Sequence, residues 1–136
     1  MILVVCVDNN MGMLFNGRRQ SRDRKLLERL LEKAAQSKLW INDFSRDLFT
    51  GQKFEQLYIS NEFLNEAQQG EYCLTENINS ENISAKIEEI ILYKWNRDYP
   101  ADFYFAWPEG NWKLAGAADF AGFSHEKITE EVYVNA

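Results

Sequence analysis

The sequence predicts an α/β domain: a mostly parallel sheet with helices on both faces, a three-layer sandwich, finished by an antiparallel C-terminal hairpin. Three observations carry this. The chain opens on Ile2-Leu3-Val4-Val5-Cys6-Val7, a continuous apolar, β-branched run of the kind buried on both faces of a parallel sheet. Behind it, strand-like runs alternate with helix-like stripes, the order that builds parallel sheets. Near the end the alternation stops. Residues 112–115 and 128–134 read as two strands with no strong helix between them, which is hairpin organisation.

The elements follow in order. The first strand, apolar on both faces, belongs at the centre of the sheet, and Asp8-Asn9-Asn10 supplies turn chemistry after it. A helix is expected over about 22–36, with Ser21 as N-cap and Leu26, Leu27, Leu30, Leu31 and Ala34 as one apolar stripe. Residues 38–42 read as the next strand, and Asn42 or Asp43 can cap a short helix that runs through Phe49 and ends near Gly51. Residues 56–60 form a third strand. Asn61 can cap a helical turn holding Phe63 and Leu64, and 71–75 form a fourth strand. A brief helix over 81–86 leads into a fifth strand at 90–95.

Composition sets the frame. A chain of 136 residues suits a single domain, 1–136, and is long enough to bury a core without metal or disulfide staples. Nine Phe, six Tyr and four Trp argue for a folded chain, and two prolines with seven glycines argue against an all-β, turn-rich design. Cys6 and Cys73 lie in apolar runs and read as buried thiols of a reducing compartment. No run approaches a membrane span, and the opening run lacks a basic leader. The expectation is a cytoplasmic protein with no membrane partner.

Charge is unevenly placed. Between Gly17 and Arg29, six basic residues (Arg18, Arg19, Arg22, Arg24, Lys25, Arg29) face Asp23 and Glu28. That island is +4 in a chain of net charge −6, which leaves −10 elsewhere. So acidic a chain is a poor general nucleic-acid binder. The island has two readings: an anion site of guanidinium forks near a helix N-terminus, or a solvated face of ion pairs. Arg18 and Arg19 precede the helix, in what reads as a loop. An anion site would bring Arg18, Arg19 and Arg22 together at the helix start.

Asp23 also has two readings. It can be an acid or acceptor facing a pocket, or a first-turn carboxylate favoured by the helix dipole and its arginine neighbours. His125, in Phe123-Ser124-His125-Glu126, reads as a turn or helix-start residue, because a triad needs spatial placement rather than adjacency. With one histidine, the chain lacks the ligands of a two-zinc hydrolase of the ribonuclease Z kind, and no Cys or His spacing suits a structural zinc site. No metal is expected. Of the aromatic run after Trp95, Tyr99 and Trp107 are the expected exposed members, and a homodimer through such a patch stays open.

The order of elements resembles that of dihydrofolate reductases. The stretch Val5-Cys6-Val7-Asp8-Asn9-Asn10-Met11-Gly12-Met13 is similar to the family's first strand and the start of its substrate loop. Asp23, eleven residues after Gly12, stands near the spacing of the family's acidic residue that contacts the pterin and assists its protonation. Ile41-Asn42-Asp43-Phe44-Ser45 lies where the family has Gly-Arg-x-Thr. Ile90-Ile91-Leu92-Tyr93, then Ala101-Asp102-Phe103-Tyr104-Phe105 and Trp112, resemble its late strand, Asp-x-x-Phe turn and following Trp. The resemblance implies a shortened reductase-like frame.

The departures from that pattern fall on the cofactor. Where the family has a Gly-Gly pair that lets backbone approach pyrophosphate, this chain has Glu76-Asn77. The basic residue of Gly-Arg-x-Thr is replaced by Asp43, and Ser45 remains as the hydroxyl counterpart of its Thr. The expectation is no cofactor and no NADPH-dependent reduction. It is instead a small anionic ligand near residues 12–25, with Asp23 as the catalytic candidate. Gly12, Arg18, Arg19, Arg22, Lys25 and Ser45 are the ligand-binding candidates. A divergent enzyme acting on a pterin- or nucleotide-like substrate and a non-catalytic interaction module are the alternatives.

Overall fold

In a computed structural model, which describes residues 1–50, 54–83 and 87–136, the predicted α/β architecture is present. Among the described residues the main sheet has seven strands: β1 (Ile2–Val7), β4 (Leu39–Ile41), β5 (Leu57–Ile59), β6 (Tyr72–Leu74), β7 (Glu89–Lys94), β9 (Trp112–Phe120) and β10 (Ile128–Asn135). They lie in the order β5-β4-β6-β1-β7-β10-β9. The first five are parallel, and β10 and β9 close the sheet antiparallel. β1 is in the middle, paired with β6 on one side and β7 on the other.

The central position follows from sequence. A parallel strand covered on both faces needs apolar side chains on both. Leu3, Val5 and Val7 enter one core with Ile90, Leu92, Phe63 and Phe105. Ile2 and Val4 enter the other with Ile91, Tyr93 and the helix stripe. That stripe belongs to α1 (Arg24–Lys33), whose Leu26 and Leu30 are buried, followed by Ala34 at its C-cap. Arg29 and Lys33 on α1 reach across to Glu130 of β10 (2.9 and 3.4 Å), and the Tyr93 hydroxyl donates to the same carboxylate (2.8 Å). The second face is covered by α2 (Phe63–Glu66), through Phe63, and by a small three-stranded sheet.

That small sheet, β2 (Gly12–Phe15), β3 (Arg18–Arg19) and β8 (Phe103–Tyr104), corrects the reading of Arg18 and Arg19 as loop residues. Its turn is Asn16-Gly17, both at positive φ (52° and 71°), the backbone that favours Asn-Gly in a two-residue hairpin. The helix boundary also shifts. Asp23, extended at φ −151° and ψ 127°, is the N-cap of α1 rather than Ser21, and the helix ends at Lys33. The 43–49 segment is a 3₁₀ helix, Asp43–Phe49, and Ser80–Asn82 is another. The expected helix end at Gly51 and the 84–86 part of the expected 81–86 helix lie outside the described residues. Cys6 and Cys73 are not joined in a disulfide. Tyr99 is half-buried, whereas Trp107 is exposed with its ring edge against Phe105 and Tyr133. Among the described residues no helix is long and apolar enough to cross a membrane.

Gly12 is enclosed by its neighbours. Its N–H donates to the buried Asp8 carboxylate (2.8 Å), which also accepts from the N–H groups of Asn10 and Tyr99 and from the Gln20 amide. A Cβ at Gly12 would stand 2.6 Å from both Ala101 Cβ and Gln20 Nε2. Gly12→Ala is therefore expected to lose about 1–3 kcal/mol of stability in urea unfolding, the usual range for overpacking. Gly116→Ala, with nothing within 4 Å of the added carbon, should stay within about 0.5 kcal/mol of the parent. Equal effects would show that the contact at Gly12 is not what excludes a side chain.

Candidate functional site

The start of α1 is a knot around Asp23. The carboxylate caps its own helix, accepting from the N–H groups of Lys25 (2.9 Å) and Leu26 (3.3 Å). It also accepts from the loop between β9 and β10: Phe123 N–H (2.9 Å), Ser124 N–H (2.9 Å), Ser124 Oγ (3.3 Å) and His125 Nδ1 (2.9 Å). The approach requires a glycine, since a Cβ at Gly122 would be 2.7 Å from Asp23 Oδ2. Asp23 is buried. Burial alone would raise its pKa, but the Phe123 N–H, His125 and the Ser124 N–H outweigh that and hold the carboxyl far below the usual range. Backbone donors and His125, rather than flanking arginines, keep it ionised.

His125, expected in a turn, lies in the β9–β10 bend but is buried. Its ring stacks on Trp95 (centroids 4.7 Å apart, planes at 26°). Nε2 faces Ser21 Oγ at 3.0 Å and the Tyr99 hydroxyl at 3.2 Å. An ionised carboxylate accepts only, so Nδ1 carries the proton toward Asp23 and Nε2 of the neutral ring accepts. Ser21, His125 and Asp23 thus form one line of hydrogen bonds from two parts of the chain, the start of α1 and the β9–β10 loop. Nothing local in the sequence marks the line, because His125 is 102 positions from Asp23.

A second cluster occupies the segments that the resemblance assigns to the cofactor. Arg19 Nε and one terminal nitrogen donate to the two oxygens of Glu76 (2.8 and 3.0 Å). The terminal nitrogens also donate to Asp47 (2.8 and 2.9 Å) and to the Phe44 carbonyl (3.1 Å). Ser45 Oγ donates to Glu76 Oε1 at 2.7 Å, and Asn42 Nδ2 donates to Asn77 Oδ1 at 2.9 Å. The bonds to Glu76, first of all, raise the Arg19 pKa further above its normal range. A carboxylate of the protein itself is held by the guanidinium and hydroxyl that a bound anion would need.

The open space lies on the outer side of α1. A pocket of about 270 Å³ is walled by Leu27 and Leu31 of α1 and by Leu48, Phe49 and Phe54, with Arg22, Arg24, Glu28 and Thr50 also lining it. Leu27 and Leu31, read as part of the core stripe, are half-buried here. Arg24 lies over the Phe123 ring (4.0 Å). The electrostatic influence of Arg22 reaches Asp47, but among the described residues neither arginine is in an ion pair. The expected convergence of Arg18, Arg19 and Arg22 on the helix end is not present. Asp23 takes those N–H groups, Arg19 is held by Glu76 and Asp47, and Arg18 is exposed on β3. Lys25 is exposed beside Glu28 (3.6 Å). Ser45 is buried on Glu76, and Gly12 is closed in as described. Among the described residues no group of three or more His, Cys, Asp or Glu could hold a metal.

Comparison with solved structures gives the class of fold. Dihydrofolate reductase from Enterococcus faecalis, in complex with NADP(H) and RAB-propyl, matches with a TM-score of 0.67 over 98% of this chain and 95% of that chain, at 9% sequence identity. The chain therefore has a dihydrofolate reductase-like fold; likeness at that identity speaks for fold and not for activity. No known family profile matches the sequence, and no curated protein does.

The Asp23 knot has a pH signature. Its folded pKa lies below the unfolded value of about 3.9, so its contribution is full above that value and declines as pH falls toward the folded pKa. Asp23→Asn is expected to cost at least about 3 kcal/mol at pH 7 in urea unfolding. The gap between parent and variant should narrow by about 1 kcal/mol at pH 3. A gap that stays constant or widens on acidification would mean that the ionised carboxylate is not its source.

Proposed function

We propose that the protein binds a small amphipathic anion, with its apolar body between α1 and the 43–49 helix and its charge at Arg22 and Arg24. One observation carries this reading. A concave slot of about 270 Å³ with five apolar wall residues bears two arginines outside any ion pair among the described residues, and its one carboxylate, Glu28, is paired with Lys25. Small-molecule sites have this composition: apolar walls and a few placed polar groups. Guanidinium groups suit carboxylate or phosphate through paired N–H donors. Of the ligand-binding candidates read from the sequence, Arg22 alone lines this pocket.

The same reading is of a chain that does not act as an NADPH-dependent reductase. Glu76 stands in place of the glycine that phosphate needs, and its charge would repel pyrophosphate. Arg19 and Ser45 are already engaged with it. Displacing Glu76 would leave a largely buried carboxylate without its partners, a cost of several kcal/mol.

Titration calorimetry tests both halves. A substituted benzoate such as 4-butylbenzoate should bind at least about tenfold more tightly than 4-butylbenzyl alcohol, the span of one charge-assisted hydrogen bond. Exchanging Arg22 and Arg24 together for Gln should remove the difference. Equal affinity of acid and alcohol, or an unaffected double variant, would refute the site. NADPH should give no saturable change in tryptophan fluorescence through the micromolar range, and saturation there would refute the second half.

A further inference from the structure

The Ser21–His125–Asp23 line has the connectivity of a nucleophile, a base and an orienting acid. Ser21 Oγ is 3.0 Å from His125 Nε2, and His125 Nδ1 is 2.9 Å from Asp23 Oδ2. Such a constellation is recognised by geometry and roles rather than by chain order. Each partner is fixed. Asp23 is locked by five other donor contacts, and Trp95 sets the plane of the imidazole. The base therefore faces Ser21 in one tautomer, with Nε2 as an acceptor that the Tyr99 hydroxyl also approaches at 3.2 Å.

Ser21 also borders space. It lines a cavity of about 20 Å³ with Arg22, Leu27 and Leu48, three residues that also line the large outer pocket. It lines a second, of about 10 Å³, with Gln20 and Thr75. Gln20 Oε1 and Thr75 Oγ1 are buried and make no hydrogen bond among the described residues. A polar cavity of that size suits a single water molecule. A hydroxyl on a base, a cation shared with a ligand pocket and a polar niche for water therefore meet at one side chain.

We infer that Ser21 is a nucleophile, activated by His125, that hydrolyses small carboxylic esters whose apolar portion enters the pocket between α1 and the 43–49 helix. The inference rests on the binding reading for its choice of ester. Ser21 Oγ bonds to the acyl carbon and its proton passes to His125 Nε2, while the carbonyl electrons move onto oxygen near the Arg22 charge. The carbonyl re-forms, the bond to the leaving oxygen breaks, and that oxygen takes the proton from Nε2. Water then adds to the acyl carbon and gives a proton to Nε2. Ser21 Oγ departs with that proton. The net change is ester and water to acid and alcohol. Asp23 is a positioning residue throughout.

Phenylmethanesulfonyl fluoride, followed by intact mass and peptide mapping, tests the nucleophile in the unmodified chain. The expected result is one sulfonyl adduct per chain, mapped to Ser21 and absent from Ser21→Ala. Hydrolysis of 4-nitrophenyl acetate should fall at least tenfold in Ser21→Ala. A folded parent that takes no adduct, or takes it on Ser124 instead, overturns the inference, as does hydrolysis unchanged in Ser21→Ala. Sulfonylation needs neither Arg22 nor Arg24, and the benzoate titration needs no nucleophile. Failure of one is therefore distinguishable from failure of the other.

Discussion

The carboxylate of Asp23 ties the start of α1 to the loop that joins β9 to β10. Six donor contacts converge on its two oxygens, two from α1 and four from the loop that joins β9 to β10. A buried charge is tolerable when donors replace the water it has lost. Here four of the six come from backbone N–H groups already fixed by a helix and a tight bend, so little further ordering is needed. The start of α1, the path of the C-terminal hairpin and the orientation of His125 all follow from this one group. The consequence for function is equally direct. Both oxygens are occupied, so Asp23 acts on anything bound nearby through the histidine.

The pair Arg19–Glu76 does the same on the other side of the cleft that holds the two small cavities beside Ser21. It joins β3 to the segment after β6, and with Ser45 and Asp47 it draws the 43–49 helix in. A cavity of about 20 Å³ is lined by both Asp23 and Glu76, and one of about 10 Å³ by Glu76 with Gln20, Ser21 and Thr75. The larger volume is displaced outward, between α1 and the 43–49 helix. A dihydrofolate reductase-like frame is thus present at 9% identity. The frame depends on sheet order and on apolar patterning, whereas the interior of the cleft depends on a handful of polar side chains.

This division explains what the sequence made legible. β1 could be placed at the centre because six consecutive residues, Ile2–Val7, satisfy two cores at once, and α1 because Leu26, Leu30 and Ala34 recur at helical spacing. The closing hairpin followed from the absence of a helical stripe between its strands. The β2–β3 hairpin escaped although Asn16-Gly17 announces it, because its strands are too short to show alternation. The helix start escaped by two residues because Ser21 and Asp23 are both good caps and only the hairpin loop decides between them. The site was least legible. The basic island was visible as composition, but which arginine would be neutralised depended on Glu76 and Asp47, 57 and 28 positions from Arg19. His125 read as a turn or helix-start residue, and its partners Asp23 and Ser21, 2.9 and 3.0 Å away, are set by the fold.

The account places ligand binding outside a cleft that the protein closes with its own carboxylates, and a crystal structure of the complex with 4-butylbenzoate tests that most directly. The carboxylate should lie within hydrogen-bond distance of Arg22 or Arg24, with the butyl group among Leu27, Leu31 and Phe49. The Arg19–Glu76 pair and the Asp23 knot should be unchanged. A ligand carboxylate that displaces Glu76 from Arg19 and Ser45, or that reaches His125 with Asp23 turned away, would contradict the account, because the inner cleft would then be the site.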